Sequence, residues 1–171
     1  MKKTLSGIAV SVLILIGLIW FARPDSGDAP AVTAVSSSNL ANGASALVVE
    51  EANNYDFGSI SMAAGEVKHT FTIRNMGSDT VTVKKMYTSC MCTTASLMSG
   101  GKQFGPVGMP GHGAIPSVNI AINPGEEAEV EVVFDPAAHG PAGVGRIQRT
   151  VTLEQSAGEP VELIFAALVT P

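Results

Sequence analysis

The sequence predicts an all-β fold, an immunoglobulin-like antiparallel β-sandwich of about seven strands preceded by one N-terminal transmembrane helix. Three observations carry that expectation. From Val48 onward, short runs alternate apolar and polar residues and are separated by Gly, Pro, Asn and Asp. The same stretch shows no sustained apolar pattern at helical spacing. The first 23 residues, by contrast, hold one long uncharged run. The expected division is therefore 1–23 as signal anchor, 24–47 as flexible linker and 48–171 as the sandwich.

In the N-terminal segment, Lys2 and Lys3 precede 19 uncharged residues, Thr4 to Ala22, and Arg23-Pro24-Asp25 follows. At about 1.5 Å per residue this run spans roughly 28 Å, close to the apolar thickness of a bilayer. Two lysines before the run, with Arg23 offset by Asp25 and Asp28 after it, place the N-terminus in the cytoplasm and the rest outside. Trp20 suits the interfacial belt. A cleaved signal peptide is the rival, but it needs small residues at −3 and −1. Cleavage after Ala22 would put Trp20 at −3, and Ala29-Pro30-Ala31 lies well beyond the apolar run. Either way the domain works outside the cytoplasm, with a single-pass anchor in the cytoplasmic membrane as the leading expectation. Residues 24–47 are rich in Ala, Ser, Asp, Gly and Pro, the composition of a spacer.

The strands follow in order. The first is expected near Tyr55–Ile60. Val67 to Arg74 alternates, with Val67, Phe71 and Ile73 on one face, and Asn75-Met76-Gly77-Ser78-Asp79 supplies a turn. Thr80 to Met86 is next, with Val81 and Val83 inward. Val118 to Ile122 stops at Asn123-Pro124-Gly125. Val130, Val132 and Phe134 then alternate with Glu129, Glu131 and Asp135. Val151 and Leu153 mark another strand; Val161, Leu163, Phe165, Ala167 and Val169 mark the last. Between them, Ser96 to Ser117 holds six glycines and three prolines in 22 residues, which reads as a long loop.

Charge and residue usage exclude several functions. The chain carries a net charge of −5, and beyond residue 24 seven basic side chains face fifteen acidic ones. A domain with that balance lacks the basic stripe that nucleic-acid binding needs. No nucleophile–base order, phosphate loop or paired-carboxylate signature stands out, so no catalytic residue is assigned and a non-enzyme is expected.

The cysteines are the most chemically distinctive feature. Cys90 and Cys92, the only two, flank Met91 in Thr88-Ser89-Cys90-Met91-Cys92-Thr93-Thr94. On an extended strand their Cα atoms would lie about 6.6 Å apart on one face, near the upper limit for a disulfide. If the strand runs unbroken from Val81 and Val83, both cysteines face outward with Lys84, and Met91 faces the core. A bulge would reverse this. Three readings remain open: a structural pair or short disulfide, a soft-metal site, and thiol–disulfide exchange. The metal reading is Cu(I), with Cys90 and Cys92 as thiolates and Met98, Met109 and His112 as candidate further ligands. Zinc wants four good Cys/His ligands, and only two cysteines and three scattered histidines are present. His69 shares parity with Phe71 and Ile73 and reads as an edge-of-core histidine. His139, beside Pro136 and Gly140, reads as a turn residue.

Five motifs occur in order: Tyr55-Asp56-Phe57-Gly58, Phe71-Thr72-Ile73-Arg74-Asn75-Met76-Gly77, Thr88-Ser89-Cys90-Met91-Cys92-Thr93, Ile122-Asn123-Pro124-Gly125-Glu126 and Val133-Phe134-Asp135. Together they resemble the bacterial domain-of-unknown-function family 1573 (DUF1573), over roughly Asn54 to Val169. That family looks related to the Ig-like modules of hydin and major sperm protein. Met91 stands where the family usually has Gly. The resemblance implies an Ig-like fold and a non-enzymatic interaction domain. The expected function is thus a membrane-anchored, extracytoplasmic binding or assembly module. Its partners would be the cytoplasmic membrane, through the N-terminal helix, and a protein of the cell envelope. Copper binding or trafficking through Cys-Met-Cys, and a thiol-redox partnership, stand as alternatives.

Overall fold

The computed structural model describes residues 46–111 and 115–171. The expected transmembrane helix, most of the linker and His112 lie outside these residues. Among the described residues, no helix is long and apolar enough to cross a membrane.

Ten strands form two sheets that pack face to face. In chain order they are β1 (Leu47–Val49), β2 (Asn54–Ser61), β3 (Val67–Asn75), β4 (Val81–Thr88), β5 (Thr93–Ser99), β6 (Lys102–Val107), β7 (Ile120–Ile122), β8 (Glu127–Phe134), β9 (Gly145–Gln155) and β10 (Val161–Thr170). Two short 3-10 turns, Met62–Ala64 and Gly140–Gly143, complete the elements. One sheet runs β1-β3-β8-β5-β6 and the other β2-β10-β9-β4-β7.

Alternation places the core. Ile73 of β3, Val130 and Val132 of β8 and Leu97 of β5 are fully buried from the first sheet; Val83, Val151, Leu153, Leu163 and Phe165 meet them from the second. Glu127, Glu129 and Glu131 alternate outward on β8, where Lys68 and Arg74 of the neighbouring strand pair with Glu131 and Glu127. Phe165 sits at the aromatic centre, 5.6 Å from Phe57 and 5.4 Å from Phe134 between ring centroids. Burial of side chains this large is the main stabilising contribution, roughly 1.5–3 kcal/mol each.

The all-β sandwich is as expected, with two corrections. First, one pairing is parallel: β2 runs alongside β10, whereas the remaining pairs are antiparallel. Second, the described residues form ten strands rather than about seven. β1 is a three-residue strip, and β5 and β6 occupy much of the stretch expected to be a loop. The glycines there have local duties. Gly100 and Gly101, with φ of 54° and 74°, form the two-residue turn between Ser99 and Lys102. Two positive-φ residues match the twist of a tight hairpin. Gly105, with φ of 112°, lies where the β5–β6 register shifts, and a Cβ there would fall 2.7 Å from the Ala95 carbonyl oxygen. Turn and bulge glycines inside a hairpin have the same composition as a loop, which is why counting them misleads.

Candidate functional site

Cys90 and Cys92 lie in a turn between β4 of one sheet and β5 of the other, where the chain crosses the end of the sandwich. β4 does not continue through them. Its pairing with β9 shifts register between Val83 and Lys85, and after that shift Met86 and Thr88 are the buried positions. The bulge inverts the parity of everything downstream. Cys90 and Cys92 are therefore buried, at 7% and 3% exposure, and Met91 is 52% exposed. The outward cysteines and inward methionine expected from an unbroken strand are corrected by that one extra residue.

The turn is tightly fastened. Thr88 Oγ1 lies 2.9 Å from the Cys90 carbonyl oxygen and 3.0 Å from that of Thr93, sharing its hydrogen between them. Thr93 N donates back to Cys90 O at 3.2 Å, and Ser89 exchanges two hydrogen bonds with Thr150 of β9. The two sulfurs are joined as a disulfide, and the turn brings the Cα atoms to 5.2 Å. That is inside the usual range for a bridge, unlike the extended-strand spacing.

Two side chains that the sequence reading did not assign to the site converge on the sulfurs. His139 Nε2 stands 3.1 Å from Cys90 Sγ. Arg149 Nε donates to Cys92 Sγ at 3.4 Å. His139 precedes the Gly140–Gly143 turn, and that segment is keyed to the cysteines through Asp135. Asp135 N donates to Cys92 O at 2.9 Å, and Ala137 N donates to Asp135 Oδ1 at 2.8 Å. Gly143 packs against the histidine, where a Cβ would lie 3.1 Å from His139 Cβ. Arg149 comes from β9, on the inward parity of Ile147, Val151 and Leu153. Nδ1 or Nε2 of His139 and both Sγ atoms lie within 4.8 Å of one another. Three donors at that spacing can hold one small ion once the bridge is open.

Of the other residues expected to ligate, Met98 and Met109 are described. Met98 sits near the far end of β5, paired with Gln103 and Glu129, six residues from Cys92. At about 3.3 Å per residue that is roughly 20 Å away. Met109 follows Gly108, whose carbonyl accepts from Thr88 N at 3.2 Å, so the chain carries it back toward the cysteine turn, where it is half-buried. His112 lies outside the described residues. Arg149 left a readable signal, a charge at an inward strand position. His139 left none, because its approach depends on β5 pairing with β8, which carries Thr93 to Phe134.

His69, expected at the edge of the core, stacks on Tyr55 of the opposite sheet at 3.6 Å and meets Phe71 edge-on at 4.5 Å. Burial among these rings holds its pKa below the ordinary histidine value, against an opposing pull from Glu51.

A crystal structure of a protein of unknown function from Porphyromonas gingivalis W83 has a similar fold, with a TM-score of 0.52 and 16% identity over 75% of this chain and 50% of that one. The chain thus spans half the length of that protein. Fainter likenesses are to the ASH / PapD-like domain 7 of human CEP192 (TM-score 0.43, 11% identity, 84% of this chain and 98% of that) and to the YadV chaperone (TM-score 0.45, 10% identity, 74% and 53%). No curated protein matches the sequence. Residues 48–103, which hold the cysteine turn, match the model of DUF1573, a family of proteins of unknown function.

Proposed function

We propose that this chain is a non-enzymatic binding module, an immunoglobulin-like domain held on the outer face of the cytoplasmic membrane that docks a protein of the cell envelope. The carrying observation is the free side of β2. Among the described residues, each sheet leaves two strands paired on one side only: β1 and β6 in the first, β2 and β7 in the second. β1 and β7 have three residues each, and β6 is interrupted by Pro106. β2 has eight residues, most of them exposed, and no proline. An edge of that length offers a row of backbone donors and acceptors to an extended segment of a partner.

Side chains along the same edge support docking. Tyr55 is 38% exposed and is fixed in orientation by its stack on His69. Beside it a groove of about 370 Å³ is lined by Asn53, Asn54, Tyr55, Asp56, Gln148, Ile164 and Ala166. A rigid aromatic next to a shallow groove is a common anchor in protein interfaces. Lys2, Lys3 and the uncharged run after them support the membrane setting.

A photo-cross-linking residue at Asn54, in the full-length chain in native membranes, should give one discrete protein adduct that Tyr55→Ala diminishes. A reporter fused after Pro171 that functions only in the cytoplasm should stay silent. If no adduct forms while the purified chain turns over a small-molecule substrate, the module reading fails.

A further inference from the structure

We infer that, once its disulfide is reduced, the chain binds one Cu(I) ion through Cys90 Sγ, Cys92 Sγ and His139 Nε2, with Arg149 balancing the charge of the site. This stands apart from the docking edge and rests on different residues.

The donor set comes first. Two sulfurs and one imidazole nitrogen within 4.8 Å of one another offer a low-coordinate, sulfur-rich environment. Soft thiolate ligands suit Cu(I) and zinc alike, but a closed structural zinc site asks for a fourth strong ligand, whereas Cu(I) accepts a lower coordination number. Among the described residues no further Cys, His, Asp or Glu joins the group.

Charge makes a second, independent argument. Cu(I) with two thiolates and a neutral imidazole carries a net charge of −1, and both sulfurs are buried. A buried charge is costly unless it is paired. Arg149 points inward beside Cys92 Sγ, and it belongs to none of the ion pairs among the described residues, which join Lys68, Arg74 and Lys85 to glutamates. With Cu(I) bound, the ion, its ligands and the guanidinium sum to zero. With Zn²⁺ they would sum to +1, so the arginine favours the monovalent ion over the divalent one.

Access fits the same picture. His139 is exposed while the cysteines are buried, so one ligand reaches solvent and can carry the ion inward. Cys92 N lies 3.3 Å from Cys90 Sγ and would donate to that sulfur as a thiolate. Opening the bridge takes two electrons and two protons from a dithiol, which becomes a disulfide itself. Binding Cu(I) then releases the two thiol protons. With the bridge closed, both sulfurs are spent on each other, so the oxidised chain should not bind.

The test uses the full-length chain in detergent, reduced anaerobically with a phosphine that ends as its oxide. Cu(I) is then titrated against a chromophoric chelator. One ion per reduced chain is expected, and none in the unreduced chain, which shares its fold and sequence. X-ray absorption should show two sulfurs and one nitrogen at copper. His139→Ala should remove the nitrogen and weaken binding by more than about tenfold, since even changes to outer-sphere groups cost about 10–100-fold. Arg149→Gln should keep the two-sulfur, one-nitrogen signature and weaken Cu(I) by about 10–100-fold. It should also narrow the preference over Zn²⁺. Equal copper retention by reduced and unreduced chains, or His139→Ala that leaves affinity and spectrum unchanged, overturns the site.

Discussion

Asn75 Nδ2 donates to the Ile122 carbonyl oxygen at 2.8 Å, tying the end of β3 in one sheet to β7 in the other. The same amide donates to Asp79 O at 2.8 Å, while its Oδ1 accepts from Gly77 N at 2.9 Å. Its own backbone is equally engaged, with Glu126 O and Gly125 N. Asn75 is fully buried with each side-chain polar atom used, so one residue closes two turns and staples the sheets. Gly77 belongs to the arrangement, because a Cβ there would stand 2.9 Å from Ala46 Cβ.

Asn75→Ala should therefore destabilise the domain by about 2–4 kcal/mol, because it strands a buried carbonyl and a turn N–H that have lost their partner. Chemical denaturation followed by far-UV circular dichroism reads this as a lower midpoint. A midpoint within error of the parent would show that water replaces the amide and that the staple is unimportant.

Gly105 combines a positive φ with contact against the Ala95 carbonyl, so Gly105→Ala meets both backbone strain and a clash. The expected loss is about 2–3 kcal/mol, at the upper end of ordinary single substitutions. Gly101→Ala is the control, since it shares the positive φ but its Cβ meets nothing within 4 Å. Gly105→Ala should be clearly the worse of the two; equal losses would mean that the close approach to β5 carries no cost.

His69 gives a pH dependence whose sign follows from its environment. Burial lowers its folded pKa below the reference value of 6.5, so the unfolded chain binds the proton more readily. Stability is full above that value and falls as the pH drops through it, levelling off below the folded pKa. His69→Phe keeps a ring against Tyr55 and removes the proton. Urea midpoints at pH 8 and pH 5.5 should diverge in the parent more than in the variant. The same divergence in both would locate the titration elsewhere.

Glu126 acts lower on the scale. The backbone N–H of Asn123 holds its carboxyl below the usual value, helped by the Ser99 hydroxyl and the Asn123 amide and opposed by desolvation. A depressed folded pKa makes its stabilisation present above the reference value of 4.5 and lost as the pH falls through the folded pKa. Glu126→Gln should flatten that part of the acid limb in thermal melts between pH 5 and pH 3. An acid limb as steep as the parent's would refute the assignment.

The sequence by itself determined the strands whose alternation is clean and the turns whose residues admit one geometry. Val67–Asn75, Glu127–Phe134 and Val161–Thr170 are legible because one face is buried and the other is not, so the period of two is written in the residues. Asn75-Met76-Gly77 and Asn123-Pro124-Gly125 are legible for their turn chemistry. Tertiary structure decided what depends on register and on distant pairing. The bulge between Val83 and Lys85 reversed the faces of Cys90, Met91 and Cys92; its trace in the sequence is the doubled Lys84-Lys85 that moves the apolar positions from Val81 and Val83 to Met86. The hairpin of β5 and β6 hid among glycines because a bulge and a tight turn share the composition of a loop. His139 and Arg149 reach the cysteines only because β8 pairs with β5 and β9 with β4, which brings together residues 49 and 57 positions apart in sequence. Side-chain type fixes which chemistry is available; register across the sheets decides which atoms come within reach of one another.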